Sequence, residues 1–284
     1  MTRMQSHMLR GGKRLHLNDG PIDLIIMADG TPAEMAVAYA AAEARFATIL
    51  NELCDELPLL RQPAGRMPDG ATARRMWRAT IGFADECFIT PMAAVAGSVA
   101  EEILGAMTSA ASLARASVNN GGDIAIHLAR GQSYRIGLVD RPDRPSLFAE
   151  AEIEFSAPVR GIATSGWRGR SFSLGIADAV TVLAKSASLA DAAATIIANE
   201  VNLPGHPAIT RVPACELQPD SDLGSLPVTR AVGFLRRDEI DSALARGVVK
   251  AAKLREQGVI SACALHLAGC TRTVARPTRI AVHA

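Results

Sequence analysis

This chain lacks an excess of either positive or negative charge, and the missing basic excess argues against polyanionic partners. The 284 residues contain 30 Lys and Arg against 29 Asp and Glu, for a formal net charge of +1. A protein that binds nucleic acid or an anionic membrane surface needs a basic excess to attract the phosphates. The sequence therefore predicts neither nucleic acid nor membrane as a partner.

Aromatic residues are also scarce, at 4% of the chain against 49% for all hydrophobic residues. The core must therefore consist mainly of Ala, Val, Leu and Ile. These side chains are small or compact, so helices and sheets can pack at short distances. A chain of this length can bury a large core.

The sequence also lacks two features that would indicate a location outside the cytoplasm, namely paired cysteines and long apolar segments. The five cysteines are scattered along the chain and form no CxxC pair, which argues against a disulfide framework or a structural zinc site. The N-terminal residues contain no apolar segment typical of a signal peptide, and no window reaches 18 uncharged apolar residues. We expect a cytoplasmic protein without a transmembrane helix.

The common catalytic and nucleotide-binding motifs are missing as well. The chain has no GxGxxG, GxxxxGK[ST], HExxH or GxSxG. Its strand-like segments come in pairs with short turns, without regular alternation of strand and helix. This pattern predicts an α+β fold of mostly antiparallel sheets covered by helices. We expect a single domain over residues 1–284, with a polar and mobile segment at residues 1–13.

The stretch from Gly161 to Val201 is the strongest candidate for a site. It contains a Gly- and Ser-rich turn, a strand at residues 179–183 and a helix from about residue 189. Ser188 and Asp191 fit a capping box, which would give Asp191 a structural role at the start of that helix. Thr195 follows Asp191 at i+4, so the two oxygens would equally suit a magnesium ion. The spacing alone favours the capping role.

The segment Asn119–Asp123, NNGGD, is a second candidate. Adjacent glycines present unobstructed N–H groups that suit an anion or a ring. Asn-Gly and Gly-Gly are also the usual residues of a tight hairpin turn. The sequence favours the hairpin and leaves the ligand role open.

Three arginines lie close together in a predicted helix, at Arg74, Arg75 and Arg78. They would suit phosphate groups, but such a group is more often a solvated helix face. We favour the solvated face.

Three segments taken together resemble the ApbE-like superfamily. They are TPMAAVAGSVAEEIL, VNNGGDIAIHL and ATSG followed by LADAAAT. More closely, the chain is similar to an uncharacterised bacterial and archaeal family that is grouped with ApbE and is not ApbE itself. Each motif is weak alone, whereas their joint order over residues 89–201 is fairly specific.

The resemblance implies an ApbE-like fold of two intertwined α/β subdomains, and it implies ligands. ApbE proteins are magnesium-dependent transferases that bind FAD and attach its FMN portion to a threonine of a target protein. By this resemblance Asp191, Thr195 and the carbonyl of Ala96 would hold Mg²⁺. FAD or FMN would contact residues of two turns, namely Asn120, Gly121, Gly122, Asp123, Thr164, Ser165 and Gly166.

The chain departs from the transferases at two places. Their histidine in an HIxDP motif is replaced here by SFSLGIAD, and their AKGYAVD lysine is replaced within AVAGSVAEE. Without that histidine no general base is evident, so the catalytic residue is unknown. His127 and His206 are the only substitutes that the sequence suggests, and nothing in it places either one at the site.

Three functions follow as hypotheses. The first is an ApbE-like protein that binds a flavin or related nucleotide with Mg²⁺ and carries out an unknown reaction. The second is an active FAD:protein FMN transferase with a protein target, and the third is a non-catalytic scaffold that kept the fold. The Ala-rich helices and sheet edges are compatible with a homodimer.

Overall fold

The structure is a computed structural model that describes residues 4–63, 65–139, 147–275 and 280–282. Within these residues the α-helices are, in chain order, α1 (Pro32–Asp55), α2 (Leu57–Leu60), α3 (Ala71–Thr80), α4 (Val95–Ala110), α5 (Ala187–Glu200), α6 (Ala214–Leu217) and α7 (Arg237–Glu256). Short 3-10 turns occupy Ile81–Phe83 and Pro91–Ala94.

The strands are β1 (Gln5–Met8), β2 (Arg14–Asp19), β3 (Ile22–Asp29), β4 (Arg115–Asn120), β5 (Asp123–Leu128), β6 (Ser133–Val139), β7 (Leu147–Glu154), β8 (Gly161–Ser165), β9 (Ala179–Ala184), β10 (Ile209–Pro213), β11 (Pro227–Val232), β12 (Ile260–Leu267), β13 (Cys270–Ala275) and β14 (Ile280–Val282). Every strand pair whose register is resolved is antiparallel. The predicted α+β class with mostly antiparallel strands is confirmed.

The chain divides into two compact units, each built from separate chain segments. The first contains residues up to Tyr134, Ile153–Ala163 and Ala184–Asp191, and the second contains the remainder. The prediction of a single domain over the whole chain stays a prediction. Every helix that the structure describes is too short or too polar to cross a lipid bilayer.

The first unit is an antiparallel sheet with its helices packed on one face. Strands β1 to β5 follow one another in order, and β8 pairs with β5 through Ile124 and Ile162. Alternation along β2 and β3 turns Leu15, Leu24 and Ile26 into the core, where they pack with α1 and α4. The largest of the fully buried side chains is Phe46 of α1.

The start of α1 follows from its sequence. The side chain of Thr31 accepts a hydrogen bond from the Glu34 N–H at 3.3 Å, and Pro32 occupies the first helical position. Both features match the sequence, because the hydroxyl satisfies an otherwise unpaired N–H and proline loses no bond there.

The N-terminal segment contains a strand that the sequence does not predict. Gln5–Met8 form β1, which pairs with β2 from Gln5↔Asn18 to Met8↔Leu15, and the expected mobility of residues 1–13 stays a prediction. Residues 1–3 lie outside the described residues. The strand was missed because its side chains are exposed and give no alternating apolar signal.

The second unit contains three groups of strands. A three-stranded sheet has the order β14-β7-β6, β10 pairs with β11, and β9 lies beside the β12–β13 hairpin. Helix α7 packs on β12 and β13. The hairpin turn places Ala268 and Gly269 at positive φ, 47° and 79°.

Candidate functional site

The first unit brings together Asp191 and the start of α4. Oδ2 of Asp191 accepts a hydrogen bond from the Gly97 N–H at 3.0 Å. The Ala96 N–H also lies within hydrogen-bonding reach of this carboxylate. These N–H groups are free to donate because the first turn of a helix has no intrahelical acceptors for them.

The contact requires glycine at position 97. A Cβ atom there would lie 2.3 Å from the carbonyl oxygen of Ala187, which is the first residue of α5. Backbone cannot yield at that distance, so Gly97 lets α4 and the start of α5 approach each other closely. The same approach brings Asp191 to α4.

The predicted capping box is wrong. Helix α5 begins at Ala187, which puts Asp191 beyond the first turn. The hydroxyl of Ser186 accepts the N–H of Leu189 at 3.3 Å, and Oε1 of Glu101 accepts both the N–H and the hydroxyl of Ser188. Because other groups satisfy the helix start, Asp191 has no capping role.

The surroundings of Asp191 disfavour the negatively charged form of its carboxyl group. Burial raises the pKa of its carboxyl group well above the ordinary value, and the negative charge of Asp123 raises it further. The N–H groups of Gly97 and Ala96 offset part of this increase. These two N–H groups therefore leave the pKa of Asp191 above its ordinary value.

A β-hairpin positions Asn120 and Asp123 near Asp191 and the start of α4. Gly121 and Gly122 form the two-residue turn between β4 and β5, with φ of 65° and 114°, and Asn120 pairs with Asp123 across it. The favoured hairpin interpretation is confirmed. The Gly122 N–H donates to Oδ1 of Asn119 at 2.8 Å, so it is already engaged.

The hairpin is fixed against α4 by Asn120. Its Nδ2 donates to the carbonyl oxygen of Ala96 at 3.2 Å, and the residue is buried. Ala96 is in the first turn of α4, where a carbonyl oxygen also faces the helical N–H four residues later, so Asn120 is an additional partner of this carbonyl. The residues of the first unit that the sequence singles out (Ala96, Asn120, Asp123 and Asp191) thus share one neighbourhood.

These groups suit a divalent cation. Two carboxylates and a backbone carbonyl are the hard oxygen ligands that Mg²⁺ prefers. A cation beside Asp191 would oppose both the desolvation and the repulsion from Asp123. No cluster of three or more His, Cys, Asp or Glu side chains able to hold a metal occurs within residues 4–63, 65–139 and 147–275, so backbone oxygen would have to complete the set.

The remaining predicted residues belong to the second unit. Thr195 is on α5, four residues after Asp191. The hydroxyls of Thr164 and Thr181 are 2.9 Å apart. A Cβ atom on Gly166 would lie 2.4 Å from the Asp178 carbonyl oxygen, so this glycine has a packing role of its own. Ser165 is partly exposed at the end of β8.

The segment SFSLGIAD offers no general base in place of the missing histidine. Its aspartate, Asp178, accepts from Trp167 Nε1 at 3.1 Å, Arg168 Nε at 2.7 Å and the Ala268 N–H at 2.7 Å. These three donors occupy both oxygens of the carboxylate. Asp178 therefore stabilises the loop that it ends.

The two candidate histidines also have structural contacts. His127 has Nε2 3.1 Å from the Leu113 carbonyl oxygen. Nε2 of His206 lies 3.1 Å from Oε1 of Glu239, which accepts its proton, and Nδ1 of the same ring accepts the Ala208 N–H. In neither histidine does a ring nitrogen face a reactive group that has been identified.

The first unit also contains an open cavity of about 360 Å³ beside α4. Its basic lining residues are Arg75, Arg160 and Lys185. Arg75 pairs with Glu102 at 3.0 Å, and Arg160 donates to the carbonyls of Ala157 and Val159. Arg75 and Arg74 thus have partners within the protein, whereas Arg78 is exposed. The choice between a phosphate role and a solvated helix face stays a prediction.

The model of the family described as "AbpE bacteria" matches residues 6–273. The chain belongs to the AbpE bacteria family. This confirms the resemblance to an ApbE-like group that the motifs indicate.

This chain has relatives among archaea. It is 33% identical over 186 residues to a UPF0280 protein of Methanosarcina acetivorans, covering 63% of this chain and 70% of that one. It is 43% identical over 111 residues to a UPF0280 protein of Methanopyrus kandleri, covering 39% and 43%. The chain spans about half the length of several of the curated relatives that it matches.

Among solved structures, this chain is similar to the apo form of the flavinyl transferase ApbE of Pseudomonas stutzeri. The sequence identity is 14%, the TM-score is 0.43, and the match covers 96% of this chain and 95% of the other.

Proposed function

We propose that this protein binds a flavin or a related nucleotide together with Mg²⁺, and that Asp191 is the central metal ligand. The observation that carries the proposal is the position of Asp191, a half-buried residue whose carboxylate accepts the Gly97 N–H and experiences the negative charge of Asp123. A carboxylate that is partly removed from water beside a second carboxylate normally has a cationic partner or loses its charge. A divalent cation is the partner that this oxygen-rich neighbourhood suits.

The proposal assigns roles to the residues around Asp191. The carbonyl of Ala96 and the carboxylate of Asp123 are the further oxygen ligands in the first unit, and Asn120 positions that carbonyl. Thr195 remains a proposed ligand because of its i+4 spacing on α5. Mg²⁺ in such a place would supply a charge that holds and polarises phosphate oxygens.

The nucleotide part of the proposal rests on the family and on the motifs. Structures similar in fold are named flavin transferases. The glycine turn at Gly121 and Gly122 and the turn at Thr164, Ser165 and Gly166 are the proposed contacts of FAD or FMN. Gly121 and Gly122 form a hairpin turn, so only N–H groups not used by that turn would contact the ligand.

The residues of the proposed site do not identify the reaction. Transfer of FMN to a threonine needs a base near the attacking hydroxyl. Asp178 and His206 are engaged in structural contacts. Binding without a known reaction is therefore the form of the function that the residues favour.

The test is a titration of the purified full chain with FAD in the presence of Mg²⁺ and in EDTA. Binding is followed by flavin fluorescence, and products are identified by mass spectrometry. Binding that requires Mg²⁺ is expected. Release of AMP with a threonine-containing protein would add the transferase activity, whereas absence of binding under both conditions would favour the scaffold and contradict the proposal.

A further inference from the structure

A second polar cluster lies on the other face of the sheet of the first unit. Leu15 and Leu17 of β2 point into the core, so alternation places His16 on the opposite face. His7 of β1 is directly opposite His16 in the antiparallel register. Directly opposed side chains in such a pair are the closest neighbours across a sheet.

Three side chains of this cluster form a continuous chain of contacts. Nε2 of His7 is 3.3 Å from Nδ1 of His16, with ring centroids 4.7 Å apart and planes at 82°. Nε2 of His16 is 3.0 Å from Oδ1 of Asp23 on β3. Nδ2 of Asn18 is 3.4 Å from the other oxygen of Asp23, which helps to hold the carboxylate in place.

The hydrogen bond to Asp23 selects one tautomer of the neutral His16 ring. A carboxylate only accepts, so Nε2 of neutral His16 carries the proton and Nδ1 presents a lone pair toward His7. His7 is exposed at the edge of the sheet. Its tautomer with the proton on Nδ1 presents a second lone pair from Nε2 into the same gap.

We propose that His7 and His16 bind one first-row transition-metal ion of the Zn²⁺ class between Nε2 of His7 and Nδ1 of His16, with Asp23 as a positioning residue. Two nitrogens bound to one tetrahedral ion at roughly 2.0–2.1 Å lie about 3.3 Å from each other. The two ring nitrogens already have this separation, 3.3 Å. Imidazole nitrogen is a preferred ligand for these ions and a poor one for Mg²⁺.

The contact with Asp23 strengthens this assignment. Histidines that bind metals usually donate their other ring N–H to a carboxylate, which fixes the ring and makes the nitrogen a better ligand. His16 and Asp23 have this arrangement without the metal. With two protein nitrogens bound, the remaining positions of the ion are open to water or to an oxygen ligand.

The test is calorimetric titration of the full chain, without a histidine tag, with Zn²⁺, supported by the visible spectrum of the Co²⁺ form. One Zn²⁺ per chain is expected. His7→Ala and His16→Ala should each weaken binding at least ~10-fold, and Asp23→Asn should weaken it by about 10- to 100-fold. His127→Gln is the matched control, because glutamine can keep the hydrogen bond to Leu113.

The Zn²⁺ site is separate from the proposed Mg²⁺ site, so Asp191→Asn should leave Zn²⁺ binding unchanged. The proposal is overturned if the wild-type chain takes up no stoichiometric Zn²⁺. It is equally overturned if His7→Ala and His16→Ala bind Zn²⁺ as tightly as the wild type. Unchanged binding in Asp23→Asn would remove the positioning role of Asp23.

Discussion

The side chain of Asp191 reaches the backbone N–H of Gly97, 3.0 Å away and 94 residues earlier in the sequence. This hydrogen bond links α5 to the first turn of α4. It is possible only because Gly97 has no Cβ atom, and it leaves the carboxylate beside Asp123 with a raised pKa. The proposed metal site depends on this relationship.

Gly97→Ala should disturb the site through a steric clash, without changing any charge. The new Cβ would meet the Ala187 carbonyl at 2.3 Å, so α4 and the start of α5 would have to separate. We expect a loss of about 1–3 kcal/mol in the free energy of unfolding, measured by urea denaturation. Magnesium-dependent FAD binding should weaken in the same variant.

Gly105→Ala is the matched control on the same helix. No heavy atom lies within 4 Å of its Cβ position, so the added methyl group meets no obstacle. Alanine is the better helix former by roughly 0.5–1 kcal/mol, and we expect a gain of stability. Equal losses in both variants would refute the packing role of Gly97.

Asp123→Asn should lower the pKa of Asp191. Burial is the largest cause of the raised pKa and would remain, but the repulsion from the Asp123 charge would be removed. The measurement is a pH titration of the Asp191 carboxyl carbon by NMR in EDTA. Asp69→Asn, at an exposed position of the same unit, should leave that pKa unchanged, and a similar effect of both substitutions would contradict the pairing of Asp123 with Asp191.

Glu102→Gln should make the first unit less stable and less sensitive to acid. Burial raises the pKa of Glu102, but hydrogen bonds from Arg45 and Arg75 outweigh it, so the pKa is lowered. A carboxyl whose folded-state pKa is lowered adds stability above its unfolded pKa, and this stability is lost as pH falls through the folded-state pKa. The glutamine variant should lack this acid-dependent component.

The expected loss at neutral pH is about 2 kcal/mol, since the substitution weakens charge-assisted bonds at 2.9 and 3.0 Å. Thermal unfolding at several pH values between 3 and 8 measures both effects. Glu52→Gln serves for comparison, because Glu52 pairs with the same Arg45 but is more exposed and should cost only ~0.5 kcal/mol. A larger loss in Glu52→Gln would refute the account.

Local features of the fold follow from the sequence. Thr31 and Pro32 start α1 as their chemistry predicts, and Gly121-Gly122 form the hairpin turn. Ser188 failed as a cap because Ser186 lies two residues earlier and bonds the N–H of Leu189. Nearby serines compete for the same role, and sequence alone does not decide between them.

Contacts between distant segments are the part that sequence reasoning missed. Gly97 gives a signal for close backbone approach, but nothing in the sequence names Ala187 or Asp191 as its partners. Glu101, which bonds Ser188, gives no signal at all. The pairing of His7 with His16 depends on the register of a strand that the sequence does not predict.

The most direct test of the central claim is calorimetric titration of Mg²⁺ into the protein with FAD present, for the wild type and for Asp191→Asn. Asparagine keeps the size of the side chain and removes its charge, and circular dichroism checks that both proteins are folded. The account predicts saturable Mg²⁺ binding in the wild type and a loss of at least ~10-fold in affinity, about 1.4 kcal/mol, in the variant. Equal Mg²⁺ binding by the two folded proteins would contradict it.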